Sequence, residues 1–212
     1  MRVLMDDYDY EWDDAWKIVK ETVAYTNHTV MAEALEKWDQ NLVRSLLPRI
    51  YMIIEEIEKR WKFFVDHKGL CGIFNQVSIL KDGQVHMAHL AIVGSHSVNG
   101  VAALHSQILK DDVFKYFEQI YPGLINNKTN GITHRRWLLY SNPQLTKLLE
   151  ETIGPEFKTN PAKLEDLMDY VDDTNVQEKF FAAKMERKQI LADYVKKELG
   201  IEVDVNSIFD CQ

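Results

Sequence analysis

Strongly periodic segments alternate along the chain with short polar ones. Trp12, Trp16, Ile18, Val19 and Val23 form an apolar stripe, with Asp13 and Asp14 where the positive end of a helix favours them. Residues 24–30, "AYTNHTV", break the pattern with Thr26, Asn27, His28 and Thr29, and a second helix is expected from about Met31. The third helix has the clearest pattern. Pro48 suits its first turn, and Ile50, Ile53, Ile54, Ile57, Trp61 and Phe64 recur at helical spacing opposite Glu55, Glu56, Glu58, Lys59 and Lys62. "HKGLCGIFN" reads as a loop. "QVSIL", "KDG" and "QVHMAHLAIV" predict a strand, a turn at Asp82-Gly83, and a second strand apolar on both faces and therefore buried.

"GSHSVNG" then leads into a helix over about 101–109, and Asp111 or Asp112 caps another that ends near Tyr121-Pro122. "NNKTNGITHRRW" follows, with Thr133 as a cap and Gly131 as a positive-φ turn, and a helix through "RRWLLY". Helices are expected around 145–152, around 161–170 with Asn160 as cap, and over about 175–199, opened by Thr174 and stopped by Gly200. "IEVDVNSIFD" reads as strand-like. The fold class is therefore mainly α with a short β-hairpin and strands, α/β overall.

Composition narrows the function classes. The 212 residues suffice for one large or two small domains. No apolar run approaches the ~18 residues of a membrane span, and the acidic N-terminus carries no secretory h-region, so no membrane partner is expected. The net charge of −8 argues against a nucleic-acid partner and leaves a neutral polyhydroxy ligand unaffected. Cys71 and Cys211 lie far apart, which fits a reducing, cytoplasmic compartment and gives no metal-ligand spacing.

Three polar stretches hold the candidate chemistry. Four of the seven histidines fall between His86 and His105. His86 and His89, on a strand, would point to opposite faces, which favours buried, hydrogen-bonded histidines over a metal site. "GSHSVNGVAALH" lacks both the dinucleotide and the Walker spacing; its loop is either a structural turn or a presenter of backbone N–H groups. "TNHT" is either a capping turn or part of a site. "NNKTNG" combines donors and acceptors that suit sugar hydroxyls, with a structural alternative in which Trp137 is core. No Ser–His–Asp set and no glycosidase carboxylate pair stands out.

Taken together and in order, "AYTNHTVMAEALEKW", "MAHLAIVGSHSVNGVAALHSQIL" and "NNKTNGITHRRWLLYSNPQL" closely resemble the glycogen, starch and maltodextrin phosphorylase family, and the closing "SIFDCQ" is similar to it as well. The similarity covers almost the whole chain. His134 stands where that family often has proline, and "HKGLCGIF" is less typical of it; neither touches the three polar loops.

The resemblance implies a fragment of a two-lobed Rossmann-like glycosyltransferase fold, with residues 1–129 ending the N-terminal lobe and 130–212 starting the C-terminal one. It implies an enzyme that releases α-glucose-1-phosphate from an α-1,4-glucan and phosphate with retention, using pyridoxal phosphate, whose phosphate serves in proton transfer. It places His28 as the catalytic-site residue beside the glucosyl primary hydroxyl and reacting carbon, Asn130 and Val101 as substrate-binding residues, and Trp137 beside the cofactor. No metal is implied. Family chains are much longer, and their phosphate-binding basic segment and cofactor lysine stand beyond the matching region, so this chain alone is expected to be inactive. A homo-oligomer is expected, from a strand "HMAHLAIV" and a terminal strand edge left uncovered. The alternative is a non-catalytic helical domain for oligosaccharide binding or protein interaction.

Overall fold

A computed structural model describes residues 1–210; Cys211, with the end of "SIFDCQ", lies outside the described residues. The chain forms two compact units, Met1–Asn130 and Gly131–Gln212.

In the first unit, a short turn at Val3–Asp7 precedes α1, Trp12–Thr22, which carries the predicted stripe. The polar stretch after it is not merely a cap, because Tyr25–Thr26 form strand β1. The helix expected from Met31 is replaced by a single turn, Ala32–Ala34, strand β2, Lys37–Asp39, and helix α2, Gln40–Leu46. Asp39 sets that later start by accepting from the Leu42 N–H at 2.9 Å. Helix α3, Pro48–His67, follows the sequence expectation, with Tyr51, Ile53, Ile54, Ile57, Trp61 and Val65 buried. A turn at Cys71–Ile73 leads to α4, Phe74–Val77, and a hairpin of β3, Leu80–Lys81, and β4, Gln84–His86. Asp82 and Gly83 both have positive φ, 52° and 73°, as a two-residue hairpin turn matched to strand twist requires. β2 adds antiparallel to β4 and completes a three-stranded sheet.

"MAHLAIV" is a helix, not the expected strand: α5 spans Met87–Gly94. A short apolar run fits a buried helix as well as a buried strand, and Met, Ala and Leu favour the helix. Lys20 closes its C-terminus, donating to the carbonyls of Val93 at 2.9 Å and Ser95 at 2.7 Å. Burial lowers the pKa of that amine. His86 now ends a strand and His89 lies in a helix, so the rings do not oppose each other across a strand; their centroids are 5.1 Å apart. Among the described residues no cluster of three or more His, Cys, Asp or Glu could hold a metal.

Strand β5, Val98–Gly100, then leads to α6, Ala103–Ile108, a π-helical turn at Leu109–Val113, α7, Lys115–Ile120, and strand β6, Ile125–Asn127. The order β1-β5-β6 is parallel throughout. The core beneath it centres on Trp61, which stacks on Phe64, Phe117 and Tyr121 at centroid distances of 5.7, 6.0 and 5.7 Å and donates its indole N–H to the Val77 carbonyl at 3.1 Å. Glu58 ties α3 to β3 by accepting from Ser78 Oγ and from the Ile79 N–H at 2.9 Å.

In the second unit, Arg135–Tyr140 form a π-helical segment without a side-chain cap, so Thr133 does not cap it; Gly131 is not among the positive-φ glycines. Helix α8, Pro143–Ile153, is capped by Asn142, and Pro161–Tyr170 are 3-10 rather than α, capped by Asn160 as predicted. Helix α9, Thr174–Leu199, is capped by Asp173, one residue before the expected Thr174, because the carboxylate accepts from the N–H groups of Asn175 and Val176. Gly200 stops it at φ 70°. Residues 201–210 contain a turn but no strand. Both strand edges on which self-association was expected are therefore absent from the described residues.

Burial, against a hydrogen bond from Nδ1–H to the Ser78 carbonyl at 2.8 Å, lowers the pKa of His89 from 6.5 to about 4. The folded state thus holds the neutral ring. Its stabilising contribution is complete above about 6.5 and is lost as pH falls from there to about 4, where the unfolded chain binds the proton and the folded one does not. Urea unfolding of wild type and His89→Gln at pH 7.5 and 4.5 should show wild type losing about 1–3 kcal/mol more than the variant on acidification. Equal losses would contradict this assignment.

Candidate functional site

The parallel sheet collects the three polar stretches. Its register places Tyr25, Val98 and Ile125 in one cross-strand row, and Thr26, Asn99 and Asn126 in the next. Val98 and Ile125 are buried in the core, so the following positions face away from it, as the period of two requires. In the polar row Thr26 donates to Asn99 Oδ1 at 2.9 Å, and Asn126 Nδ2 donates to Ser97 Oγ and the Val98 carbonyl. Beyond the strands' carboxyl ends lie Asn27–Thr29, Val101 and Lys128–Asn130. Open parallel sheets bind ligands at that end.

One hydrogen-bonded chain holds these ends together. The Val101 N–H donates to His105 Nδ1 at 3.1 Å, so the ring's proton sits on Nε2. Nε2–H then donates to Asn27 Oδ1 at 3.1 Å. The same oxygen accepts the Thr29 N–H at 3.0 Å, closing a turn around His28, and Asn27 Nδ2 donates to the Tyr25 hydroxyl at 3.1 Å. Asn27 is 1 % exposed, and both atoms of its side-chain amide are hydrogen-bonded. On the other side of Val101 its carbonyl accepts the Asn130 N–H at 2.9 Å.

Gly100 and Ser106 complete the joint. Ser106 Oγ lies 2.9 Å from the Ala102 carbonyl and 3.1 Å from Asn127 Oδ1, and Asn127 Nδ2 donates to Thr129 Oγ1 at 3.0 Å. A Cβ on Gly100 would stand 2.5 Å from Ser106 Oγ and 3.0 Å from both its Cα and its N.

The structure thus brings three of the four sequence candidates, His28, Val101 and Asn130, into one unit and one hydrogen-bonded assembly. The side chains of His28 and Asn130 are exposed and have no hydrogen bond among the described residues, whereas those that orient them are buried or half-buried. The arrangement offers an imidazole and an amide, with both donors and acceptors, next to an apolar Val101 side chain: a surface for a hydroxylated ligand with an apolar edge. Trp137 belongs to the second unit and is 72 % exposed, so it is not a core residue there. Sequence reasoning passed over His105, Ser106 and the pivotal part of Asn27. The spacing of Val101 and His105 is a local signal, but nothing in the sequence links His105 to a residue 78 positions earlier.

Comparison with known proteins now bears on this assembly. The family model described as "Carbohydrate phosphorylase" matches residues 1–212. The chain belongs to the carbohydrate phosphorylase family. It is 47 % identical over 214 residues to "Glycogen phosphorylase" of Bacillus subtilis (strain 168), covering 100 % of this chain and 27 % of that protein. It is 42 % identical over 217 residues to "Glycogen phosphorylase, muscle form" of Bos taurus, covering 100 % of this chain and 26 % of that protein. It is 42 % identical over 219 residues to "Alpha-glucan phosphorylase, H isozyme" of Solanum tuberosum, again covering 100 % and 26 %. The chain therefore spans about a quarter of the length of the curated relatives it matches. Among the described residues of this phosphorylase-family chain no helix is long and apolar enough to cross a membrane.

The close approach at Gly100 gives a direct check on the joint. Gly100→Ala should cost about 1–3 kcal/mol of stability, because the clash is with Ser106 backbone as well as its hydroxyl. The shift in urea midpoint measures it; an unchanged midpoint would mean that α6 is free to move off β5.

Proposed function

We propose that this chain forms the glucosyl-facing part of an α-1,4-glucan phosphorylase, which transfers a glucosyl unit from the glucan end to phosphate and releases α-glucose-1-phosphate with retention. The observation that carries the reading is the joining of "TNHT", "NGVA" and "NNKTNG" through the Val101 backbone, with the side chains of His28 and Asn130 free of hydrogen bonds among the described residues. In this reading residues 1–129 end the N-terminal lobe and residues 130–212 start the C-terminal one. The protein is cytoplasmic and acts on glucan and phosphate.

Each residue's part follows from its chemistry. His28 hydrogen-bonds the glucosyl primary hydroxyl close to the reacting carbon, held in place by the turn that Asn27 closes around it. Asn130 supplies a donor and an acceptor to the sugar's hydroxyls from the opposite loop. Val101 packs its methyl groups against the apolar edge of the hydroxymethyl carbon and keeps water from it. Hydrogen bonds that tighten as charge develops on the sugar lower the barrier rather than only the binding energy. Trp137 fits a place beside pyridoxal phosphate, since its exposed indole face matches a planar pyridine ring and Arg135 and Arg136 beside it are exposed without ion pairs among the described residues. When bound, that cofactor contributes its phosphate as a proton-transfer group.

The test uses the full-length protein with maltoheptaose and phosphate. Wild type should release glucose-1-phosphate, and Asn130→Ala should lower kcat/KM by about 1–3 kcal/mol equivalent, the scale of one lost polar partner. An unchanged kcat/KM would reduce the Asn-rich loop to a turn.

A further inference from the structure

We infer that His105 is the positioning residue of this site: a neutral imidazole, not in contact with the ligand, that fixes the three loops relative to one another. The inference rests on the functional reading above for its effect on turnover, but its structural part stands on geometry alone.

Two independent hydrogen bonds define the ring's state. The Val101 N–H has only a proton to give, so Nδ1 must be a lone-pair acceptor. Asn27 Oδ1 is identified as the oxygen by the Thr29 N–H that it accepts, so Nε2 must donate to it. Both demands are met by a single form, the neutral Nε2–H tautomer. An imidazolium would set an N–H against the Val101 N–H, and the other neutral tautomer would lose both bonds.

From that ring each ligand-facing residue is reached in one or two links. Val101 is bonded directly through its N–H. His28 sits inside the turn closed on the same Asn27 oxygen that His105 donates to. Asn130 hangs from the Val101 carbonyl, the other end of the residue His105 holds. The ring thus links the ends of loops whose strands pair over just two or three residues each. A positioned group displaced by about 1 Å loses on the order of 100-fold in rate, so loosening this ring should cost turnover.

Glutamine tests the idea, because its amide can accept at one end and donate at the other as this tautomer does, whereas alanine can do neither. In the full-length protein, His105→Ala should lower kcat by about 10- to 100-fold with KM for phosphate changed less than about threefold, and His105→Gln should recover most of that loss. Hydrogen–deuterium exchange of the same proteins is the second readout. The amides of Thr29, Val101 and Asn130 should exchange faster in His105→Ala and stay protected in His105→Gln. Should His105→Ala fail to fold, His105→Asn, too short to span both partners, takes its place with the same expectation. Unchanged kcat in the alanine or asparagine variant, or equal loss in the glutamine variant, would overturn the role in turnover. Unchanged exchange at the three amides would overturn the positioning itself. A wild-type protein that releases no glucose-1-phosphate would strike the functional reading alone, and the exchange data would then decide whether His105 holds the loops.

Discussion

The backbone of Val101 is the joint on which the candidate site depends. Its N–H is spent on the His105 ring and its C=O on the Asn130 N–H. The two peptide groups on either side of the Val101 Cα are thus each held by one hydrogen bond, and neither can rotate without losing it in a partly buried setting. That fixes the turn from β5 into α6, and with it the distance between the loop carrying His28 and the loop carrying Asn130. Everything polar around it follows from the same economy. Asn27 is buried with its amide oxygen bonded to both the His105 ring and the Thr29 N–H, while the side chain of His28 next to it is exposed and has no hydrogen bond among the described residues.

The apolar side of the unit explains why so small a sheet can hold this geometry. β1, β5 and β6 contribute two or three residues each, too few to be stable alone. Val98 and Ile125, wholly buried, anchor them into the core built on α3, where Trp61 stacks with rings from α7 and the segment after it. The close contact of Ser106 on Gly100 then presses α6 onto the strand. Core burial sets the position of the strands, and the hydrogen-bonded joint sets the direction of the loops that leave them.

How much of this could be read beforehand differs by element. α3, the Asp82-Gly83 turn and the Asn160 cap depend on local chemistry and were legible residue by residue. "HMAHLAIV" was misread as a strand, since its apolar character reports burial and not the period of the buried element. The capping reading of "TNHT" was half of the truth: Asn27 does close a turn, but on a strand end and with a histidine from α6 as its second partner. The sheet β1-β5-β6 was not legible, because its strands are too short to show alternation and its first pairing, β1 with β5, joins residues 73 positions apart. The candidates His28, Val101 and Asn130 came from the family resemblance, and their being joined comes from the fold.

The proposed function makes these three loops one receptor for a glucosyl unit. A crystal structure of the full-length protein soaked with α-glucose-1-phosphate tests it most directly. Glucosyl density should appear with its primary hydroxyl against His28, its hydroxymethyl carbon against Val101 and a ring hydroxyl on Asn130, with the Val101 N–H still bonded to His105. Density elsewhere, or a sugar that leaves His28 and Asn130 untouched, would contradict it.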